Sequence, residues 1–261
     1  MPAVSETKYL VMAGWDNVPH LSEKTKRELY EATPVHLRDA RSKGMPTLGS
    51  GAVFPIPEEQ VKCESFSIPK HWPRLCGMDF GWDHPNANIW LAWDRDTDIV
   101  YVYDAIRMRQ TLIPVIASAI KGRGKWIPVA WPHDGHQVKD ANSGEQVALQ
   151  YRNEGVNMLL EHAQFEAAFV NDKPVSLVSV EAGIQDMLTR MSTGRLKVFS
   201  HLNEWFEEYR LYHRKNGVIV KLVDDLLSAT RYALMMLRKA ELEPNTDKKE
   251  LRTRNYNWKV G

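Results

Sequence analysis

The sequence contains few cysteines, no long hydrophobic run and almost no net charge, and each of these absences excludes a class of protein. Only Cys63 and Cys76 are cysteines, and their spacing fits neither a zinc site nor a disulfide framework, as expected of a reduced intracellular protein. No apolar run approaches the roughly 18 residues of a membrane span, and no signal peptide opens the chain, so we expect a soluble cytoplasmic protein without a membrane partner. The formal net charge of +1 provides no overall field that would attract a polyanion.

Positive charge is concentrated locally, in two segments. Residues 107–125 contain basic side chains and no acidic one, and residues 190–221 are basic on balance. Such clusters most often form a solvated face, but a surface that binds phosphate groups also needs them. The candidate phosphate contacts are Lys121, Arg123, Lys125, Arg214 and Lys215.

Residues 1–74 are punctuated by prolines and glycines, which break helices and strands. Two short helices are predicted between these breakers, one over 22–32 that begins at the capping residue Ser22 and one over 35–42. The density of breakers indicates a linker or partial subdomain and not an independent core. At the other end of the chain, residues 241–261 are expected to form a polar tail.

From residue 75 to about residue 240 the hydrophobic pattern indicates an α/β domain. Three strands come first, over 75–79, 89–93 and 99–103, and the polar turn between the last two predicts an antiparallel hairpin. Helices and strands then alternate, with helices predicted at 112–121, 143–153, 180–191, 202–213 and 224–240, and strands at 127–131, 156–160, 196–199 and 218–222. The last of these strands is expected in a hairpin or at a sheet edge. This order describes a mixed sheet flanked by helices, in which the first strand is central.

Acidic residues occur at three places where an apolar segment ends or begins. Asp79 closes the first strand, Asp134 follows the strand predicted at 127–131, and the pair Asp224 and Asp225 begins the last helix. Carboxylates that converge through the fold repel one another and are costly to desolvate, so a divalent cation is the usual reason for such a cluster. Two cations about 3.5–4 Å apart would clamp the attacking and leaving oxygens of an in-line phosphoryl displacement. The sequence therefore predicts a metal-dependent phosphate chemistry.

The two members of the acidic pair have different predicted roles. A carboxylate at the N-cap position accepts hydrogen bonds from the first-turn amides, where the helix dipole also favours negative charge. If Asp224 takes that position, Asp225 is left to point toward the sheet. We therefore expect Asp225 to be the inner metal ligand, and Asp224 to be a cap, an outer ligand or the ligand of a second ion.

Each of these motifs also has an ordinary structural explanation. The triplet Asp79-Phe80-Gly81 is short enough to occur by chance, residues 132–135 make a good turn, and Asp224 can be an N-cap and nothing more. The coincidence of all three at the ends where α/β sites form favours a functional site.

Histidines and tryptophans near the acids are weaker candidates. Three histidines could assist a metal or a water molecule but are equally typical of exposed loops, namely His84, His133 and His136. The tryptophans are expected mostly in the core, apart from Trp82, which could line a path for the substrate.

Three motifs around these acids resemble the nuclease domain of the large terminase subunits of tailed bacteriophages. They are Asp79-Phe80-Gly81-Trp82, Trp131-Pro132-His133-Asp134-Gly135 and Asp224-Asp225-Leu226-Leu227-Ser228-Ala229-Thr230-Arg231-Tyr232. The segments 16–22, 38–41 and 44–51 are similar to the linker that precedes that domain. The resemblance therefore extends over about residues 18–240.

The resemblance implies an RNase H-like fold and an endonuclease that cuts concatemeric double-stranded DNA. It implies that Asp79, Asp134 and Asp225 are catalytic metal ligands with Asp224 beside them, and that the cofactor is a pair of Mg²⁺ or Mn²⁺ ions. The basic residues named above would contact DNA. The further partners would be a portal protein, a small terminase subunit and an ATPase half, in the cytoplasm of an infected or lysogenic bacterium.

One departure from this family affects the expected activity. The ATPase half needs the pattern Gly-x-x-x-x-Gly-Lys-[Ser/Thr], which this sequence lacks. We therefore expect that the chain does not drive DNA translocation by itself, and that it is a C-terminal piece, a split gene product or a prophage remnant.

Two other functions stay open. A non-catalytic module that docks on DNA or portal would keep the acids by inheritance. An actin-like or sugar-kinase phosphotransferase also uses an aspartate on a first strand followed by a hairpin. It would need a second phosphate loop of glycine and threonine, which the sequence after residue 177 does not offer.

Overall fold

The structure is a computed structural model of the chain. It describes residues 14–33, 38–43, 51–133, 146–166, 169–170, 173–174, 178–215, 218–220 and 223–244.

Helices and strands alternate along most of the chain. The α-helices are α1 (Glu23–Ala32), α2 (Arg38–Lys43), α3 (Glu58–Val61), α4 (Ile113–Gly122), α5 (Val147–Asn153), α6 (Val180–Ser192), α7 (Asn203–Leu211) and α8 (Asp225–Met235). The strands are β1 (Lys62–Cys63), β2 (Arg74–Asp79), β3 (Asn86–Asp94), β4 (Ile99–Met108), β5 (Val129–Ala130), β6 (Phe169–Val170), β7 (Lys173–Pro174), β8 (Leu196–Phe199), β9 (Arg214–Lys215) and β10 (Val218–Ile219). Short 3₁₀ helices occur at Trp15–Asn17 and Leu237–Lys239.

The main sheet has the strand order β1-β8-β4-β3-β2-β5. Strands β2, β3 and β4 form an antiparallel meander. On one side of it β5 runs parallel to β2, and on the other side β8 runs parallel to β4 and β1 runs parallel to β8. The predicted mixed sheet is thus confirmed.

The strand that carries Asp79 is not central, contrary to the sequence prediction. Within the described residues β2 has only β5 beyond it, because the strand predicted at 156–160 is reduced to one parallel bridge between Met158 and Val129. On the other side the long strand β4 pairs with β8, which in turn pairs with β1. The strand predicted at 218–222 was expected in a hairpin or at a sheet edge, and β10 does pair with β9 in a separate hairpin.

Helices cover the sheet on both faces. Alternate residues of β2 and β3, namely Cys76, Met78 and Trp90, are fully buried in a core shared with α4 and α5. Helix α8 packs on β2 and β3, and α6 packs on α8. No described helix is long and apolar enough to cross a membrane.

By their contacts the residues divide into two compact units. We call Met1–Gln60 together with Phe206–Asp224 the N-terminal unit, and Val61–Trp205 together with Asp225–Gly261 the sheet unit. In the N-terminal unit the Ser22 hydroxyl accepts a hydrogen bond from the Thr25 amide at 3.1 Å, which confirms the predicted cap of α1.

The two units divide the chain differently from the predicted boundary at residue 74. Strand β1 pairs with β8, so the residues from 61 onward are part of the sheet unit in spite of their prolines. Residues 206–224 group with the N-terminal unit, where the rings of Tyr209 and Tyr212 pack on Phe54. Both differences arise from pairing between distant segments, which a local pattern does not encode. The cap predicted at Ser143 lies outside the described residues.

Candidate metal centre at the carboxyl end of strand β2

Strand alternation decides which face of the sheet Asp79 occupies. Because Cys76 and Met78 lie in the core under α4 and α5, Gly77 and Asp79 belong to the opposite face, on which α8 packs. Asp79 is the last residue of β2 and is half-buried. Its carboxylate therefore lies at the carboxyl end of the strand, on the helix α8 side.

Helix α8 approaches the backbone of β2 at Gly77. A Cβ atom at this position would overlap the carbonyl oxygen of Ala229 and would lie 2.9 Å from the Cβ of Ala233. Glycine is therefore needed here so that helix and strand can touch directly. This contact fixes the position of α8 along β2.

The direction of α8 follows from the chain beyond its carboxyl end. The amide of Glu241 donates to the Arg74 carbonyl at 3.1 Å, and the Arg74 amide donates to the Glu241 carbonyl at 2.7 Å. Since Arg74 begins β2, the carboxyl end of α8 lies at the start of β2, and its amino end lies where β2 ends. Helix and strand therefore run in opposite directions.

This arrangement brings Asp225 to the same end of the sheet as Asp79. Asp225 is the first residue of α8 and precedes Ala229 by one turn, a rise of about 6 Å. Asp79 follows Gly77 by two residues, a rise of about 7 Å. Measured from the contact between Gly77 and Ala229, both half-buried carboxylates are thus displaced by similar distances in the same direction.

Strand β5 leads toward the same end of the sheet. It runs parallel to β2, with Val129 beside Cys76 and Ala130 beside Gly77. The chain continues through Trp131, which is buried, to His133, which is exposed. Asp134 is the next residue and lies outside the described residues.

The other two predicted ligands are Asp224 and Asp134. Asp224 directly precedes α8 and belongs to the N-terminal unit. Among the residues that the structure describes, no three His, Cys, Asp or Glu side chains come together. The predicted third ligand, Asp134, is not one of those residues.

The donor atoms at this end of the sheet suit a hard divalent cation. Carboxylate oxygens are the protein ligands that Mg²⁺ and Mn²⁺ prefer. The amino end of α8 favours negative charge at Asp225. Asp79 and Asp225 are therefore suited to hold such a cation.

The close packing of the loop after Asp79 requires a glycine at position 81. A Cβ atom at Gly81 would overlap the carbonyl oxygens of His84 and Pro85. The loop is thus folded tightly on itself directly beyond Asp79. The ring of Phe80 turns into the core and stacks on Tyr151 at 5.8 Å between ring centroids, which anchors the end of β2.

A cavity of about 460 Å³ opens beside this loop. It is lined by Phe80, Gly81, Trp82, Asn86, Thr111, Leu112, Ile113, Ile116, Val147, Gln150 and Tyr151. Trp82 lines it with 53% of its surface exposed. A contact between Trp82 and a substrate stays a prediction. Trp90 and Trp131 are in the core as expected.

The cationic cluster at the end of α4 lies far from Asp79. The guanidinium of Arg74, at the start of β2, lies 5.7 Å from the ring of Trp126, which follows Lys125. Since Arg74 and Asp79 are five residues apart on one strand, about 17 Å separates this region from Asp79.

Two of these cations also bind within the chain. Arg123 donates to Asp104 at 2.5 Å and covers the Trp90 ring, and Lys121 donates to the Glu154 carbonyl at 2.5 Å. Lys125 is exposed, and Arg214 and Lys215 form β9 in the N-terminal unit. A role in DNA binding stays a prediction for all five candidates named from the sequence.

Arg107 is a basic residue that sequence reasoning did not single out. Ala87 of β3 lies directly opposite both Asp79 of β2 and Arg107 of β4. The sequence shows Arg107 only as part of a basic segment, because the pairing register is needed to bring it level with Asp79.

Comparison with known proteins assigns this chain to a family. A family model described as the terminase RNaseH-like domain matches residues 76–237. The large terminase subunit of Salmonella phage P22 is 43% identical over 224 residues, which are 85% of this chain and 43% of that protein. The corresponding protein of Enterobacteria phage LP7 is 44% identical over 218 residues, 83% of this chain and 44% of its own length. The chain thus spans less than half the length of these relatives.

Solved structures agree with the sequence comparison. The nuclease domain of the P22 large terminase superposes with a TM-score of 0.65 at 44% identity, covering 74% of this chain and 96% of that domain. The large terminase of the thermophilic bacteriophage D6E, at 15% identity, superposes with a TM-score of 0.55 over 86% of this chain and 55% of its own, which shows a shared fold. This chain therefore belongs to the RNase H-like nuclease-domain family of phage large terminase subunits.

Proposed function

We propose that this chain is the metal-dependent endonuclease module of a viral genome-packaging terminase and cuts concatemeric double-stranded DNA. The observation that carries the proposal is that Asp79, at a strand end, and Asp225, at a helix start, lie at the same end of the sheet although almost 150 residues separate them in the sequence. Family membership supports the same reading.

In this proposal Asp79 and Asp225 hold divalent cations, Mg²⁺ or Mn²⁺, with Asp134 as a further ligand and Asp224 beside them. A pair of such cations would supply activation of the attacking water and stabilisation of the leaving oxygen of a phosphodiester. The chain positions its carboxylates through rigid elements, since α8 is held against β2 at Gly77 and the end of β2 is anchored by Phe80. This rigidity is what a metal site needs to keep its geometry.

The proposal includes the partners of a packaging terminase. Because the chain spans less than half of its relatives and contains no P-loop, DNA translocation would require an ATPase half. A portal protein and a small terminase subunit are the other proposed partners, in the cytoplasm of the bacterial host. No observation on the described residues favours the phosphotransferase alternative.

Nicking of supercoiled plasmid by the purified chain tests this function. We expect nicking with Mn²⁺ or Mg²⁺ and none with a chelator. Asp79→Asn should lower the rate about a hundredfold or more, because charge stabilisation by a bound metal is worth several kcal/mol. The same substitution should raise the melting temperature of the metal-free protein, since it removes one of two neighbouring like charges.

The matched control is Asp96→Asn, which makes the same chemical change at an exposed position in the turn between β3 and β4. It should leave nicking unchanged. A wild-type chain that binds DNA but never nicks it would support the docking-module alternative instead.

A further inference from the structure

The pairing register aligns an arginine with the candidate metal centre. Asp79, Ala87 and Arg107 lie opposite one another on β2, β3 and β4. Residues that face each other across antiparallel strands point to the same face of the sheet. With neighbouring strands about 4.8 Å apart, the Cα atoms of Asp79 and Arg107 are about 10 Å apart in one row.

This distance suits a contact to DNA near the cleavage site. About 10 Å along the duplex axis corresponds to about three nucleotides of one strand. A phosphate held near Asp79 thus has neighbours on the same strand within reach of Arg107.

One partner of Arg107, Glu204, is a group that a phosphate can replace. Its guanidinium lies 3.4 Å from a carboxylate oxygen of Glu204, whose side chain is 57% exposed, while the Arg107 side chain is 18% exposed. An ion pair with one exposed partner contributes little to stability. A phosphate offers the guanidinium a two-pronged, charge-assisted contact instead.

We propose that Arg107 binds a DNA phosphate that flanks the scissile one, and that Glu204 competes with DNA for its guanidinium. The proposal rests on the proposed nuclease function, whose substrate it places on the sheet. It assigns Arg107 a contact with the substrate and Glu204 an inhibitory role. The competing explanation is an ion pair that merely joins β4 to the start of α7.

Binding of a short DNA duplex, measured in a chelator over a series of salt concentrations, tests the contact without any metal. Arg107→Gln should weaken binding about tenfold at low salt and lower the slope of log affinity against log salt by about one. Arg107→Lys should keep the slope, because it keeps the charge. The control Arg95→Gln, at the exposed far end of the same hairpin, should change neither quantity.

Glu204→Gln provides the sharper test, because its expected effect is a gain. It should tighten DNA binding in the wild-type background and have no effect in the Arg107→Gln background. The loss of one negative charge would by itself tighten binding equally in both backgrounds. That result, or no gain at all, would overturn the competition. If Arg107→Gln does not fold, Glu204→Gln still tests the proposal, because a Glu204→Gln protein that binds DNA no tighter than the wild type would overturn the competition.

The two proposals fail in different ways. If the wild type nicks plasmid but Arg107→Gln leaves the salt slope unchanged, the proposed Arg107 contact is wrong and the proposed nuclease function stands. If the wild type never nicks but shows the Arg107 and Glu204 effects on DNA binding, the proposed contact stands and the proposed nuclease function is wrong. A wild type that does not bind DNA overturns both.

Discussion

Asp224 and Asp225 are adjacent in the sequence, but the start of α8 separates them. Asp225 is the first helical residue, so Asp224 occupies the position before it. A side chain at that position is placed to accept from first-turn amides, whereas the next residue can turn toward the sheet. Asp225 also precedes Ala229, which touches β2, by one turn.

The two acids should therefore respond differently to substitution. Asp225→Ala should eliminate nicking at any Mn²⁺ concentration. Asp224→Ala should cost about 1 kcal/mol of unfolding free energy as a lost cap and raise the Mn²⁺ concentration needed without eliminating activity. Urea unfolding and a Mn²⁺ titration of plasmid nicking measure the two effects. If Asp224→Ala is inactive and Asp225→Ala only weaker, the roles are exchanged.

Sequence reasoning at the residue scale succeeded where the signal was local. Asp79 and Asp225 were placed correctly at the end of a strand and the start of a helix, because strand ends and caps have local patterns. Arg107 was missed because its proximity to Asp79 depends on the register of two strand pairs. Lys121 and Arg123 were grouped by charge alone, although both bind acceptors within the chain.

At the element scale, the packing of α8 on β2 decides whether the centre can form. There is no space for a side chain at Gly77, because an added Cβ atom would meet the Ala229 backbone and the Ala233 Cβ. A backbone atom cannot rotate away, so helix and strand would have to separate. The carboxylate of Asp225 moves with the helix.

Gly77→Ala should therefore damage stability and activity together. We expect a loss of about 1–3 kcal/mol of unfolding free energy from overpacking, and a fall in Mn²⁺-dependent nicking. Gly122→Ala is the matched control, because a Cβ atom at Gly122 in α4 would meet nothing within 4 Å. Urea unfolding and plasmid nicking measure both variants, and a Gly77→Ala protein as stable and active as the control would contradict the packing argument.

Prediction of elements succeeded where the local hydrophobic pattern is clear and failed where a strand depends on a distant partner. The strands at 75–79 and 196–199 and the helices at 112–121 and 180–191 were found within two residues of their bounds. Strand β1 was missed, since it consists of two residues and forms only by pairing with β8. The strand predicted at 156–160 lacks partners beyond one bridge to Val129, which the hydrophobic pattern alone does not reveal.

At the scale of the whole molecule, the sequence identified the family but not the division into units. The three acidic motifs carry the family resemblance, and the comparisons confirm it. The contribution of residues 206–224 to the N-terminal unit depends on contacts with residues far away in the chain. Such contacts have no counterpart in local composition.

Binding of Mn²⁺ tests the central claim most directly, because the claim is that Asp79 and Asp225 hold the same metal centre. Calorimetric titration should be made on the wild type, Asp79→Asn, Asp225→Asn and the double variant. We predict that each single variant loses at least about tenfold in Mn²⁺ affinity, and that the double variant loses little more, since ligands of one site are coupled. Unchanged affinity in either single variant, or losses that simply add, would contradict the account.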